Sequence, residues 1–464
     1  MELSMRGIGL AFLCMLVLSL ASPSLSAAVE TLTLDAAVQM ALERNLSLEA
    51  SRENYESAKW GLRASRAALL PSVSLSSTAR RVDPETYERA NASLDFAEEF
   101  GVEVEPFLYE TTYETSFRAD LPIWNGGKLW GAAGVAEGAR DAALSSYESA
   151  RRGIVVEAKS AYFGLLRALE LLGVQEEAVL AAERNAEAAR RRLEVGMANR
   201  AEHLRWESQL ARERGALVDA EAGVTLARTR LLNVLGLSLD TEVSLDGVPE
   251  GMLEEARARY EGLRGDGPLT EERALELLRG SPDLESLRAS TDIGRSRVTI
   301  ARGAFLPALN ASGSYGWKAD DDIEPDDETA WSVTLALELP VFTSFRNFSQ
   351  YHESKRAYFA SLRREEDGRR AMVAALRSAD STVGSSLKRL TAARVEEERA
   401  AELLKNVRNM HAQGMATYTE LLDAEVLYGR SRVGTVNALF DCLLALADAE
   451  RLLGPEPDAH GAGG

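Results

Sequence analysis

Several things are scarce in this 464-residue chain, and each absence excludes something. There are two cysteines, Cys14 and Cys442, too few for a disulfide framework or a Cys-based zinc site. Basic residues are outnumbered 53 to 72 by acids, a formal net charge of −19, which argues against a nucleic-acid partner. The four histidines, His203, His352, His411 and His460, are scattered without metal-ligand spacing. No G-x-x-x-x-G-K-[ST] loop is present, and no G-x-G-x-x-G follows a strand pattern. The acids are plentiful, but no pair is singled out for catalysis. The chain therefore reads as a non-enzyme with no catalytic residue, cofactor or bound metal. Past the amino terminus, no apolar run approaches the roughly 18 residues of a spanning helix.

Aromatics are also sparse, at 6%, and there are only 13 prolines, whereas Ala, Leu, Glu and Arg abound. That composition favours long helices. At the amino terminus Arg6, the apolar stretch Ile8–Leu20 and the small residues Ser26-Ala27-Ala28 form a signal-peptide pattern, so residues 1–28 are expected to be removed on export. No cysteine follows this site to carry a lipid.

The chain is written twice. Leu69-Leu70-Pro71-Ser72-Val73 returns 236 residues later as Phe305-Leu306-Pro307-Ala308-Leu309. Leu121-Pro122-Ile123-Trp124 returns 218 residues later as Leu339-Pro340-Val341-Phe342. Gly196-Met197-Ala198 matches Gly414-Met415-Ala416 at that second offset, as Glu202 does Glu420 and Leu235-Gly236 does Leu453-Gly454. The step between offsets puts an 18-residue difference between the two prolines of each half. Such a constant offset marks an internal duplication.

Each copy reads helix, strand, strand, long helix, tight turn, helix. The first repeat spans 29–236, with a helix over Leu34–Leu70 and strands near 72–79 and 115–123. A long helix over 128–195 and a return helix over 199–235 complete it. The second spans 269–454, with strands near 308–317 and 331–341 and helices over 347–413 and 417–453. Residues 237–268 form a linker and 455–464 a tail. The proline-free run Lys128–Val195 is about 100 Å of helix at 1.5 Å per residue. Gly196 and Gly414 mark the helix-turn tips. The helical stripes fit a soluble antiparallel coiled coil as well as a larger helical assembly.

The strands alternate apolar and small polar residues, as in Trp331-Ser332-Val333-Thr334-Leu335-Ala336-Leu337. At about 9–11 residues they have the length that crosses a bilayer when tilted, though a small soluble sheet would alternate too. Trp317 and Trp331 lie at the loop ends, where interface aromatics sit. The loops are acidic, notably Asp320–Glu328, and read as solvent-facing.

The ordered set of Leu34–Leu48, the strand starts at Pro71 and Pro307, Leu121-Pro122-Ile123-Trp124-Asn125-Gly126-Gly127, the Gly-Met-Ala turns and the Leu-Leu-Gly endings resembles the TolC-like outer-membrane efflux protein family over nearly the whole mature chain. The resemblance implies a mainly α fold with a β-barrel portion. Three chains would form a twelve-stranded outer-membrane β-barrel, continued by a long α-helical barrel across the periplasm. It implies a passive exit duct of tripartite efflux or type I secretion, a homotrimer contacting outer-membrane lipid, a periplasmic adaptor and an inner-membrane transporter. Glu420, Asp423 and Glu202, just after the tips, match the acidic constriction, although Thr417-x-x-Glu420 and Asn199-x-x-Glu202 also fit helix capping. Ala416 stands where that family often has a basic latch; Arg200 and Arg205 are the nearby candidates. The competing expectation is a periplasmic coiled-coil adaptor or scaffold with no pore.

Overall fold

The computed structural model describes residues 31–92, 107–197, 199–245, 247, 249, 251–320 and 329–453. The signal-peptide region, the tail 455–464, Ala198 of the first tip and the acidic loop residues 321–328 lie outside the described residues. The first repeat contributes β1 (Thr31–Leu32), α1 (Leu34–Arg44), α2 (Leu46–Ala67), β2 (Ser72–Arg81), α3 (Pro84–Asn91), β3 (Thr111–Asn125), α4 (Lys128–Glu194) and α5 (Arg200–Val234). Then come β4 (Ser244–Leu245), α6 (Met252–Arg264), α7 (Glu271–Leu277), α8 (Pro282–Gly303), β5 (Ala308–Asp320), β6 (Thr329–Glu338), α9 (Arg346–Ala412) and α10 (Tyr418–Leu453).

The two longest helices each run 67 residues, about 100 Å, uninterrupted by proline. Each ends in the same geometry. Gly196 and Gly414 take φ of 75° and 74°, and Met197 and Met415 donate back to Arg192 and Met410 at 2.7 and 2.8 Å. A side chain at that left-handed position would clash with its own backbone, so glycine ends both helices.

Where one helix is expected over Leu34–Leu70, there are two. Asn45 leaves helical geometry (ψ 114°), and its Oδ1 accepts from Ser47 N and Leu48 N, capping α2. Its Nδ2 donates to Val234 O at 3.3 Å, tying the break to the end of α5. Gly236 follows at φ 66°, and a Cβ there would come within 2.7 Å of Arg44 O. Residues 237–268, expected as a linker, carry β4, which pairs in parallel with β1, and the helix α6. Tyr260 and Arg264 bind α6 to Asp380 of α9 at 2.6 and 2.5 Å.

The sheet has the order β2-β3-β5-β6, antiparallel throughout, with β2 and β6 unpaired on their outer edges among the described residues. β3 is longer than expected and carries an irregularity between Pro122 and Trp124, which suits a residue that cannot donate to the ladder. β6 stops at Glu338, two residues before Pro340. The strands enter α4 and α9 through two consecutive left-handed residues. These are Gly126 and Gly127 in the first repeat, but Ser344 and Phe345 in the second.

In the helical region α4 packs against α2, α5, α8 and α10, and α9 packs against α8 and α10. Three buried clusters lie along this length. One surrounds Tyr162, Leu165 and Leu231. The second surrounds Leu376, Leu446 and Tyr260, and the third, near the turns, surrounds Trp206, Leu404 and Leu421. No described helix is long and apolar enough to cross a membrane.

Candidate functional site

Two regions carry chemistry: the sheet and the helix-turn ends. In the sheet, the register gathers alternate residues of all four strands onto one face. Leu75, Phe117, Tyr315 and Trp331 stand in one transverse row, and Val73, Ala119, Gly313 and Val333 in the next. Leu335 and Leu337 continue this apolar face on β6. The opposite face has Ser74, Arg118, Ser314 and Ser332 in one row, and Ser72, Asp120, Ser312 and Thr334 in another. Every residue of β2 and of β6 is exposed, so among the described residues no layer covers either face at those strands.

An apolar surface left uncovered along a whole sheet needs a partner or a hydrocarbon environment. Trp331 is 74% exposed on this face. Trp317 lies on the same face, half-buried against Phe117 with ring centroids 6.3 Å apart. The two tryptophans sit toward the loop end of the strands.

At the turn end, the three acids have different surroundings. Glu420 makes a full capping box: its Oε2 accepts from Thr417 N at 2.7 Å and from Thr417 Oγ1 at 2.9 Å, while Glu420 N donates to Thr417 Oγ1 at 3.3 Å. The Thr417 backbone N–H, with the hydroxyl, holds its carboxyl below the usual glutamate range. Asp423 is exposed one turn further along and lines a groove of about 920 Å3 between α4, α5, α9 and α10. Glu202 is buried. Its N–H is capped by Asn199 Oδ1 at 2.8 Å, but its carboxylate turns to Arg192 at 3.4 Å rather than completing a box. The structure thus leaves Glu420 and Asp423, three residues apart, both exposed near the start of α10, and places Glu202 in an ion pair behind its own turn.

The lock candidates separate likewise. The Arg205 guanidinium lies 5.2 Å from the centre of the Tyr418 ring, joining the start of α5 to the start of α10. Arg200 is exposed. His203 is largely covered: its Nε2 is 3.3 Å from Glu207, and its Nδ1 is buried without a partner among the described residues. That covering follows from its place one turn before Trp206 in the third cluster.

The most connected acid here was not evident from the sequence. Glu425 accepts from Asn185 of α4 at 2.7 Å and from Arg408 of α9 at 3.4 Å, joining three helices. Arg432 of α10 pairs with Glu177 of α4, and Arg214 of α5 with Glu183 of α4 at 2.8 Å. A signal existed for Glu425. It interrupts the apolar stripe of Leu421, Ala424 and Tyr428 at helical spacing, where an acid is costly unless partnered.

The family model described as "Outer membrane efflux protein" matches residues 37–237 and 275–455. Among curated relatives, Outer membrane protein TolC of Vibrio cholerae serotype O1 is 23% identical, over 95% of this chain and 94% of the relative. Outer membrane protein OprJ of Pseudomonas aeruginosa is 22% identical, over 90% and 83% respectively. Among solved structures, a membrane protein from Pseudomonas aeruginosa superposes with a TM-score of 0.77 at 19% identity, covering 93% of this chain and 98% of the other.

Proposed function

This chain belongs to the outer membrane efflux protein family, and we propose that three copies of it close into one passive exit duct. It is an outer-membrane protein, and the channel reading displaces that of a poreless scaffold. The observation that carries the trimer is the four-stranded sheet with one apolar face, one polar face and two unpaired edges. Open edges are not tolerated in hydrocarbon, and four strands are too few to close. Joining β6 of one copy to β2 of the next, three times, gives a twelve-stranded barrel with lipid outside and water inside. The helical wall supports the same closure. Its order is α2, α4, α8, α9 beside the sheet, and its end helices carry exposed Trp60 on α2 and Phe359 on α9.

On this reading the 67-residue helices span the periplasm, and their turns meet a periplasmic adaptor and inner-membrane transporter. Three copies of Glu420 and Asp423 would then form stacked rings of carboxylates at the tip. Such rings concentrate cations and resist close approach of the helices. Glu202, paired with Arg192, holds the first turn together rather than contributing a third ring. Gly196 and Gly414 set the turns themselves, and Trp317 and Trp331 mark the outer membrane interface.

Planar bilayer recording tests this. The purified protein is expected to form cation-preferring channels that divalent or trivalent cations block from the helical side. In Glu420→Ala/Asp423→Ala that block weakens. Failure to form channels would remove the duct reading, and unchanged block in the double variant would remove these two acids from the constriction.

A further inference from the structure

At mid-height the polar face of the sheet does not share the chain's excess of acid. Going from the helix end toward the loops, the middle rows hold Ser72, Asp120, Ser312 and Thr334, then Ser74, Arg118, Ser314 and Ser332, then Ser76, Ser116, Gly316 and Ala330. Among these rows Arg118 and Asp120 alone are charged, and each is the other's partner. Arg118 Nε donates to both carboxylate oxygens of Asp120, at 3.1 and 2.9 Å. The two residues are i, i+2 on one strand, so period-two alternation puts both on the polar face. One row further toward the loops, the next charges also come as opposites, with Glu114 directly across from Lys318. Beyond that, Arg80 and Asp320 stand either side of Thr112 at the loop end and Glu338 lies at the helix end. The middle of the face otherwise holds mainly small hydroxyl groups, some bonded to one another, as Ser314 Oγ is to Ser332 Oγ at 2.8 Å.

We infer that Arg118 and Asp120 are mutual counter-ions that keep the barrel lumen electrically neutral at mid-height, so that the barrel passes cargo of either charge sign and discrimination by charge is left to the helical tip. This rests on the barrel reading above, because only there does the polar face become a lumen. The physical reason is dielectric. A water-filled barrel has low-dielectric walls of protein and lipid, which focus the field of any unbalanced ring of charge. Three unpaired aspartates or three unpaired arginines would act as a selectivity ring. A paired set presents hydrogen-bonding groups of both kinds and little net field. The exposed geometry contributes little to stability, with side chains 61% and 45% exposed, so a folding role does not account for the pair.

The test is one-sided block of reconstituted channels, with the blocker added on the loop side. Inositol hexakisphosphate serves as polyanion and hexamminecobalt(III) as polycation. Wild type is expected to be insensitive to both from that side. Asp120→Asn, which leaves arginines unpaired, gains block by the polyanion, its half-blocking concentration falling roughly tenfold, the low end of field focusing. Arg118→Gln gains block by the polycation to a similar degree. Arg118→Lys keeps the charge and behaves as wild type, and Arg118→Gln/Asp120→Asn returns to insensitivity. Channels of normal conductance in which neither single variant gains block would overturn the inference while leaving the duct reading standing. If no variant and no wild type conducts, the duct reading itself fails.

Discussion

At the scale of single residues, the acids near the turns divide by partner rather than by position. Glu420 is held by its own helix start, Glu202 by the end of the preceding helix, and Glu425 by two other helices. Glu425 is therefore the acid whose loss would loosen the bundle of long helices. In Glu425→Ala, Asn185 and Arg408 lose their acceptor, at a cost of about 1–3 kcal/mol for a part-buried charged hydrogen bond. Single-channel conductance should rise as α10 separates from α4, and Glu425→Gln, which still accepts from Asn185, should fall between; equal conductance in all three would refute this. Asp380 makes a second prediction. Arg264, ahead of Tyr260, holds its carboxyl below the usual aspartate range by hydrogen bonding. A group depressed in the folded state stabilises above its unfolded pKa and loses that contribution as pH falls through the folded value. Asp380→Asn should thus lower thermal stability at pH 7, and the gap from wild type should narrow as melting is followed into acid. A gap that is constant with pH would contradict it.

At the scale of elements, the repeats are legible because proline and glycine punctuate them. Pro71 and Pro307 precede β2 and β5, and Gly196 and Gly414 end the long helices. The break at Asn45 was only half legible: an asparagine can cap the residues just after it, as this one does, but its second bond, to Val234, comes from 189 residues away and leaves no local trace. The helix α6 was hidden by the Gly, Pro and acid content around it, although Tyr260 anchors it. Tip chemistry was only partly visible. Capping at Thr417 and Asn199 is local and follows from spacing, whereas the Arg192, Arg205 and Asn185 contacts cross between helices and have no period in the sequence. Where the two copies differ in backbone strain, a prediction follows. Ser344 occupies φ 50°, which glycine adopts at Gly126 without penalty. Ser344→Gly should raise stability by up to about 1 kcal/mol, read as a higher Tm. Gly236→Ala, forced against Arg44 O, should lower it by more than that.

At the scale of the whole molecule, the described chain is a wall rather than a closed body. Its sheet ends in two free edges, its strands β2 and β6 are bare on both faces, and its end helices expose large aromatics. The duplication explains the shape: two copies of one hairpin-and-helix unit lie side by side and together supply four strands. On the proposed closure by three chains each apparent liability would become an interface, and the charge of −19 would divide among acids at the tips and loops around a barrel neutral at mid-height. The most direct measurement is the mass of the detergent-extracted particle from outer membranes, by native mass spectrometry. Particles of three chains are the predicted result, and a monodisperse one-chain or two-chain particle that still conducts ions would contradict closure by three.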